Sequence, residues 1–435
     1  LRGFAGADYY TVMTEDDSLL AQNEKPERSH SKIDGIAEEY VRLCFSLEEH
    51  CPGYVDAYFG PGNLKEEGTA AKRSLPQIKQ AISSLLSHLE EIEQVAVTPR
   101  TRSLRVHLRS MWAKADLLDG APMTFDEESQ ALYDAVPPSF SSEEFQTILQ
   151  EIDSLLPGTE SLNERVENLR QEFRVPQERL DVVMKAAIEE ARARTTRRIL
   201  LPEGENFTVE LVSEKPWSGY NWFRGNAQSL IQVNTDLPVY LDMIITLACH
   251  EGYPGHHVFN CLREEELYRK RGWVEFSVFP LFGPDALIAE GSANFAVEMV
   301  FPTLQDRLRF ESEILCPLAG INTRRLGLYE NVLVLMRKLA YVQVEAARRY
   351  LDGKISREEA VEWLIRYRLL SQGEAEHSLK FIEVYRSYMI NYKLGEDLVK
   401  AYVEGQGGVQ ENQLKRWQVF HELLISPIVP SDLKK

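Results

Sequence analysis

The sequence predicts a mainly α-helical protein. It has a large helical body and a small central antiparallel β-sheet, placed just before a histidine-bearing helix. Three observations predict this. Apolar residues recur every three or four positions through the first two hundred residues and again from 284 to about 426, the period of one helix face. Between them, residues 206–235 change to short β-branched and aromatic runs punctuated by Gly, Pro and Asn, the texture of strands. Then "VYLDMIITLACHE" from 239 is apolar nearly all round apart from Asp242 and Thr246, as a buried helix is.

The elements follow in order. "SKIDGIAEEYVRLCFSLEEH" has Ser31 as a cap and a stripe of Ile33, Ile36, Ala37, Tyr40, Leu43 and Cys44, which predicts the first helix. "LPQIKQAISSLLSHLEEIEQ" and "TPRTRSLRVHLRSMWAKADLL" keep the same rhythm, and Pro176 opens the helix of "VPQERLDVVMKAAIEEARARTTRRIL". "GPGN" from Gly60 and "VPPSFSSEE" from Val136 read as loops. "NFTVELV" (206–212), "WSGYNWF" (217–223) and "SLIQVNT" (229–235) read as three strands of one sheet. Helix resumes from Pro238. A further helix starts at Pro284 and ends at Pro302, and a long helical run covers 304–350. No repeat or low-complexity linker divides the chain. We therefore expect an N-terminal helical lobe (1–200), a sheet with the site-bearing helices (201–303) and a C-terminal helical lobe (304–435), forming one unit.

The 435 residues carry 44% hydrophobic and 27% charged side chains, ordinary for a globular chain with a sizeable core. The formal net charge of −18 argues against nucleic acid and anionic membranes as partners. No apolar run is long enough to span a bilayer. Cys44, Cys51, Cys249, Cys261 and Cys316 form no CxxC pair, and "LRGFAGADYY" has no signal-peptide pattern. Together these predict a cytoplasmic protein with reduced thiols. No feature specifies an oligomeric state.

The chemistry concentrates in "CHEGYPGHH" (249–257), which holds three of the nine histidines. His250-Glu251 opens like the HExxH motif of zinc hydrolases. There, two histidines one helical turn apart bind the ion and the glutamate is general base toward the attacking water. Here the fifth position is Pro254, which has no N–H and clashes with the preceding turn. Gly255 permits an unusual backbone. On a straight helix His257 shares a face with His250 but lies about 10 Å along the axis, too far for one ion. A two-residue Pro-Gly bulge would bring His256 into place instead. His250 and His256 are thus the favoured ligands, with His257 as the second choice, and Glu251 is the base. The competing reading is a kinked core helix with chance histidines.

A third ligand is sought in "GPDALIAEGSANFAVEMVFP" (283–302). Glu290 is an acid on an apolar helix face, and a buried carboxylate needs a partner. Gly291, Ser292 and Ala293 allow close helix approach. Asn294 and Glu298, one and two turns on, are candidates to orient the histidines, as is His257 if it does not bind metal. Two histidines and a glutamate suit zinc and several other divalent ions.

"HEGYPGHH" followed by "AEGSANFAVE" resembles the bacterial family catalogued as domain of unknown function 885. Its hallmarks are HExxPGH and then an EGxA-like helix. The resemblance covers roughly residues 200–405, and "NYKLG" within "SYMINYKLGEDLVKAY" resembles the family's Tyr-x-x-Gly segment. It implies a mostly helical zinc peptidase of the gluzincin kind with a small sheet before the active-site helix. The first histidine after Pro-Gly is the family's constant one, which favours His256. The chain departs from the pattern in "FIEVYRSYMI", where many members have Arg-Tyr and then Pro-Gly-Gln, and in "EGSANFA", which lacks the tryptophan of EGWA.

In peptidases of this type the strand before the helix offers an edge to an extended peptide. "SLIQVNT" is the candidate, with Asn234 as an added contact. Tyr388, Tyr392 and His377 are candidate oxyanion donors, and Arg324, Arg386 and Lys393 candidate carboxylate binders. For the tyrosines the competing role is core packing, and for the charged residues solvation. The sequence thus points to a zinc-dependent hydrolase of short peptides. A metal-dependent amide or ester hydrolase and a non-catalytic helical binding protein are the alternatives.

Overall fold

The computed structural model describes residues 31–215, 219–236 and 238–434. "LRGFAGADYY" and positions 217 and 218 of the expected second strand lie outside the described residues.

The protein is mainly helical. Ser31 precedes the helix Lys32–Glu48 and joins Asp34 in a reciprocal cap. This helix packs with Leu75–Glu93 and Pro99–Leu118 around an apolar cluster that includes Tyr40, Leu43, Ile82, Leu108 and Met111. Val278 and Phe282, from far along the chain, complete that cluster. A second, larger cluster begins at Ala113 and Phe125 and runs to Leu433. It takes in the helix Leu180–Thr196, the sheet, the helices that follow it and the C-terminal helices. The first two hundred residues thus contribute to both clusters.

Strand β1 (Val55–Tyr58) pairs antiparallel with the distant β5 (Val278–Pro280), tying the N-terminal helices to the segment that leads into the helix Pro284–Val300. The other sheet contains β2 (Asn206–Val212), β3 (Gly219–Phe223) and β4 (Gln228–Asn234) in the order β2-β4-β3. It is mixed rather than antiparallel throughout. A tight hairpin joins β3 to β4, with Gly225, Asn226 and Ala227 all at positive φ. That leaves β2 to pair parallel with the opposite edge of β4, from Asn206↔Gln228 to Val212↔Asn234. The expected run over 304–350 is broken as well. Gly320, in the left-handed region at φ 71°, caps Cys316–Ala319, and helix restarts at Leu326–Lys338 and Tyr341–Leu351. Among the described residues no helix is long and apolar enough to cross a membrane.

The helices Pro284–Val300 and Ile390–Gly405 cross at backbone contact. A Cβ on Gly291 would lie 2.3 Å from the Gly395 carbonyl carbon, and one on Gly395 would lie 2.5 Å from Leu287 O. Both obstacles are backbone, so neither can rotate away. Gly291→Ala is therefore expected to destabilise the fold by about 1–3 kcal/mol, the scale of core overpacking. A lower urea midpoint at unchanged slope is the readout.

Candidate metal centre

The helix Leu241–Leu247 widens at Ala248–Gly252 into a turn with i→i+5 bonding, in which Tyr253 N–H reaches Ala248 O at 3.0 Å. The chain then bends through Tyr253 and Gly255, with a cis Tyr253–Pro254 peptide. A new helix, His256–Leu262, begins at once. The expected bulge is thus a break between two helical segments. Gly255 is required by close approach. Its N–H donates to Cys249 O at 2.9 Å, and a Cβ there would sit 1.9 Å from His250 O.

This reversal brings His256 Nε2 to 3.1 Å from His250 Nε2. Glu290, on the packed helix Pro284–Val300, places Oε2 3.3 Å from His250 Nε2 and 3.6 Å from His256 Nε2. Among the described residues, this is the one group of three such side chains with ligand atoms this close together. Ligand atoms about 2.0–2.1 Å from a tetrahedral zinc lie about 3.3 Å from one another, and this triangle has that size. Glu290 Oε2 is also buried without a hydrogen bond among the described residues. Such an orphan is costly unless a cation meets it. The residues fit a divalent ion.

The electrostatics agree. Burial alone would lower the His250 pKa, but the Glu290 carboxylate facing it and the charge of Glu251 raise it to about 9. Burial alone would raise Glu290, yet the facing histidines hold its carboxyl well below the usual carboxylate range. Both shifts describe a pocket that stabilises positive charge.

Surrounding residues fix these three side chains. His250 Nδ1 lies 3.0 Å from Asn294 Oδ1, an acceptor, so a neutral His250 ring keeps its proton on Nδ1 and offers the Nε2 lone pair to an ion. Asn294 Nδ2 in turn donates to Tyr392 O at 3.0 Å. Asn294→Ala is expected to weaken metal affinity by roughly 10–100-fold, measurable by competition with a chromophoric chelator. Tyr388 Oη donates to Glu290 Oε1 at 2.8 Å. Its hydroxyl is thus committed to Glu290, and the expectation that it acts as an oxyanion donor is corrected.

Glu251 is buried, with Oε1 4.0 Å from His250 Nε2, and its carboxylate has no hydrogen bond among the described residues. Strand β3 holds it in place. Asn221 Nδ2 donates to Glu251 O at 2.7 Å, and a Cβ on Gly219 would come within 3.1 Å of Oε1. Tyr392 is half-buried, and its hydroxyl makes no hydrogen bond among the described residues. Burial, with the nearby Glu290 and Glu251 charges, pushes its pKa well above the ordinary value, so it stays a donor.

The remaining expected residues lie elsewhere. His257 is fully buried between Ser229 Oγ at 2.9 Å and Glu205 Oε2 at 3.0 Å. Glu205 also accepts from Tyr253 Oη and Arg192. His257 therefore ties its helix to the sheet, because adjacent residues at a helix start point to different faces. Glu298 pairs with Lys400 and Arg416, not with a histidine. Strand β4 cannot offer an edge, since β2 and β3 flank it, and Asn234 Nδ2 donates to Lys215 O. Arg386 is paired with Glu128, and Lys393 with Glu396 and Asp397. Arg324 is exposed in a loop and His377 is exposed on the helix Gln372–Tyr385.

Two residues not anticipated from the sequence stand beside the cluster. Asp56, on β1, accepts from Tyr220 Oη of β3. It lies within electrostatic reach of His256 and Glu290. A lone acid inside the strand-like "YVDAYF" was the available signal.

No family model matches this chain, and no curated protein matches it. Solved structures do. A candidate lipoprotein from Colwellia psychrerythraea is similar at a TM-score of 0.50 and 14% identity, over 81% of this chain and 69% of that one. Trypanosoma cruzi metallocarboxypeptidase 1 gives 0.43 and 13%, over 90% and 89%. The M32 carboxypeptidase from Deinococcus radiodurans R1 gives 0.44 and 11%, over 92% and 93%. The first of these likenesses establishes a shared overall fold.

Proposed function

We propose that the chain is a metal-dependent peptidase of short peptides, with one zinc-like ion held by His250, His256 and Glu290. The observation that carries this reading is the triangle of His250 Nε2, His256 Nε2 and Glu290 Oε2, with the unbonded Glu251 carboxylate beside it. Bound there, zinc supplies Lewis acidity toward a carbonyl oxygen and makes a neighbouring water more acidic. Glu251 takes the proton from that water as its oxygen adds to the carbonyl carbon, and gives it to the departing amine as the C–N bond breaks. Tyr392 donates a hydrogen bond to the oxygen that gains charge. Asn294 and Tyr388 keep His250 and Glu290 in register.

The test combines elemental analysis with parallel panels of short peptides and of non-peptide amides and esters. One metal ion per chain and chelator-sensitive cleavage of peptides are expected. Metal-dependent turnover confined to the non-peptide panel would replace the peptide with another acyl substrate, and protein purified without metal and unable to take it up would end the hydrolase reading.

A further inference from the structure

We propose that Asp56 anchors a primary ammonium group of the substrate, the free amino terminus of a short peptide being the source that fits best. The proposal rests on the peptidase reading above. Its first support is geometric. Val55 pairs with Pro280 but Ala57 pairs with Phe279, so Asp56 is the extra residue of a β-bulge. Bulges re-aim a side chain and recur beside active sites. The re-aimed side chain leaves its own sheet and meets Tyr220 on β3, the strand whose Gly219 and Asn221 hold Glu251.

The second support is what Asp56 lacks. Tyr220 Oη occupies Oδ1, and Oδ2 has no partner among the described residues. Among the described residues no lysine or arginine pairs with Asp56, and the groups that act on it are Tyr220, His256 and Glu290. Acceptors without donors suit an ammonium, which has three donors and no acceptor.

The third support is the charge balance. When ionised, Glu251, Glu290 and Asp56 carry three negative charges around two histidines, and burial pushes the Asp56 pKa up as long as no cation faces it. A divalent ion offsets two of them when the imidazoles are neutral, which leaves one negative charge for the substrate to meet. The basic residues that could have received a substrate carboxylate are otherwise engaged or exposed: Arg386 with Glu128, Lys393 with Glu396 and Asp397, and Arg324 in its loop. A carboxyl terminus finds no such partner, whereas an amino terminus does.

Binding to the zinc-loaded full chain tests this without turnover. Three probes are titrated by calorimetry: leucine hydroxamate, N-acetyl-leucine hydroxamate and Nα-acetyl-lysine hydroxamate. The first is expected to bind about tenfold or more tighter than the second, the scale of one charge-assisted hydrogen bond. Asp56→Asn keeps an acceptor for Tyr220 and is expected to retain the zinc but erase the difference. Tyr220→Phe leaves the charge and is expected to preserve it. If Nα-acetyl-lysine hydroxamate shows the Asp56-dependent gain instead, the anchor stands and the ammonium is a side chain's. Equal binding of all three, no binding of any, or a preference that survives Asp56→Asn overturns the proposal. An Asp56-dependent preference in a protein that cleaves no peptide would sink the peptidase reading and leave the anchor standing.

Discussion

Glu251→Gln is expected to lower peptide hydrolysis by about 10²-fold or more, the usual scale for loss of a general base, while metal content and fold stay intact. Glutamine has the same shape and can still accept or donate a hydrogen bond, but it cannot take a proton at neutral pH. The substitution leaves its surroundings undisturbed, because Asn221 holds the Glu251 backbone oxygen rather than the carboxylate, and the carboxylate itself has no hydrogen bond among the described residues. Elemental analysis and steady-state kinetics on one cleavable peptide suffice as measurements. A fall in kcat with KM and zinc unchanged would match the proposed role. Full activity in Glu251→Gln would remove the mechanism, and loss of zinc would recast Glu251 as a ligand.

His256→Ala and His257→Ala are expected to fail in opposite ways. The first removes one corner of the ligand triangle. Metal affinity should fall by more than the roughly 10–100-fold that the loss of an orienting partner costs, with stability of the metal-free protein little changed. The second empties a fully buried site between Ser229 and Glu205. It should retain metal but lose roughly 1–3 kcal/mol of stability, the cost of stranding a buried polar partner. Metal titration and urea unfolding of both variants read the contrast. Retained stoichiometric zinc in His256→Ala, with loss in His257→Ala, would reverse the assignment.

The sequence was most informative where chemistry and backbone geometry constrain the same few residues. "HEGYPGHH" confines a proline, a close-packed glycine and three histidines to one reversal, so a short window pointed to side chains that the fold brings together. The Glu290 helix was legible for a similar reason, since an acid on an apolar face implies a buried partner. Pairing between distant segments was not legible. Strand β4 has the apolar residues of a sheet, but its own residues do not say which strands will flank it. Tyr388 and Glu298 sit at the helical spacing that suggested them, and partners from other elements then decide their roles: Glu290 for the tyrosine, Lys400 and Arg416 for the glutamate. Asp56 was invisible for the plainest reason. Its neighbours in space are supplied by strands and helices that begin some 160 residues later along the chain.

The crossing at Gly291 and Gly395 works like the pivot of a pair of calipers. Glu290 is the residue before one glycine and Tyr392 lies one turn before the other. The gap between a carboxylate and a phenol on separate helices is therefore set where main chain rests on main chain, and no side chain in the pivot can yield. Thickening it by one methyl group pries the jaws apart without altering either tip. Graded substitutions at Gly395 thus form a ruler for the site: the separation of the two groups becomes a variable that can be stepped while their chemistry is held constant.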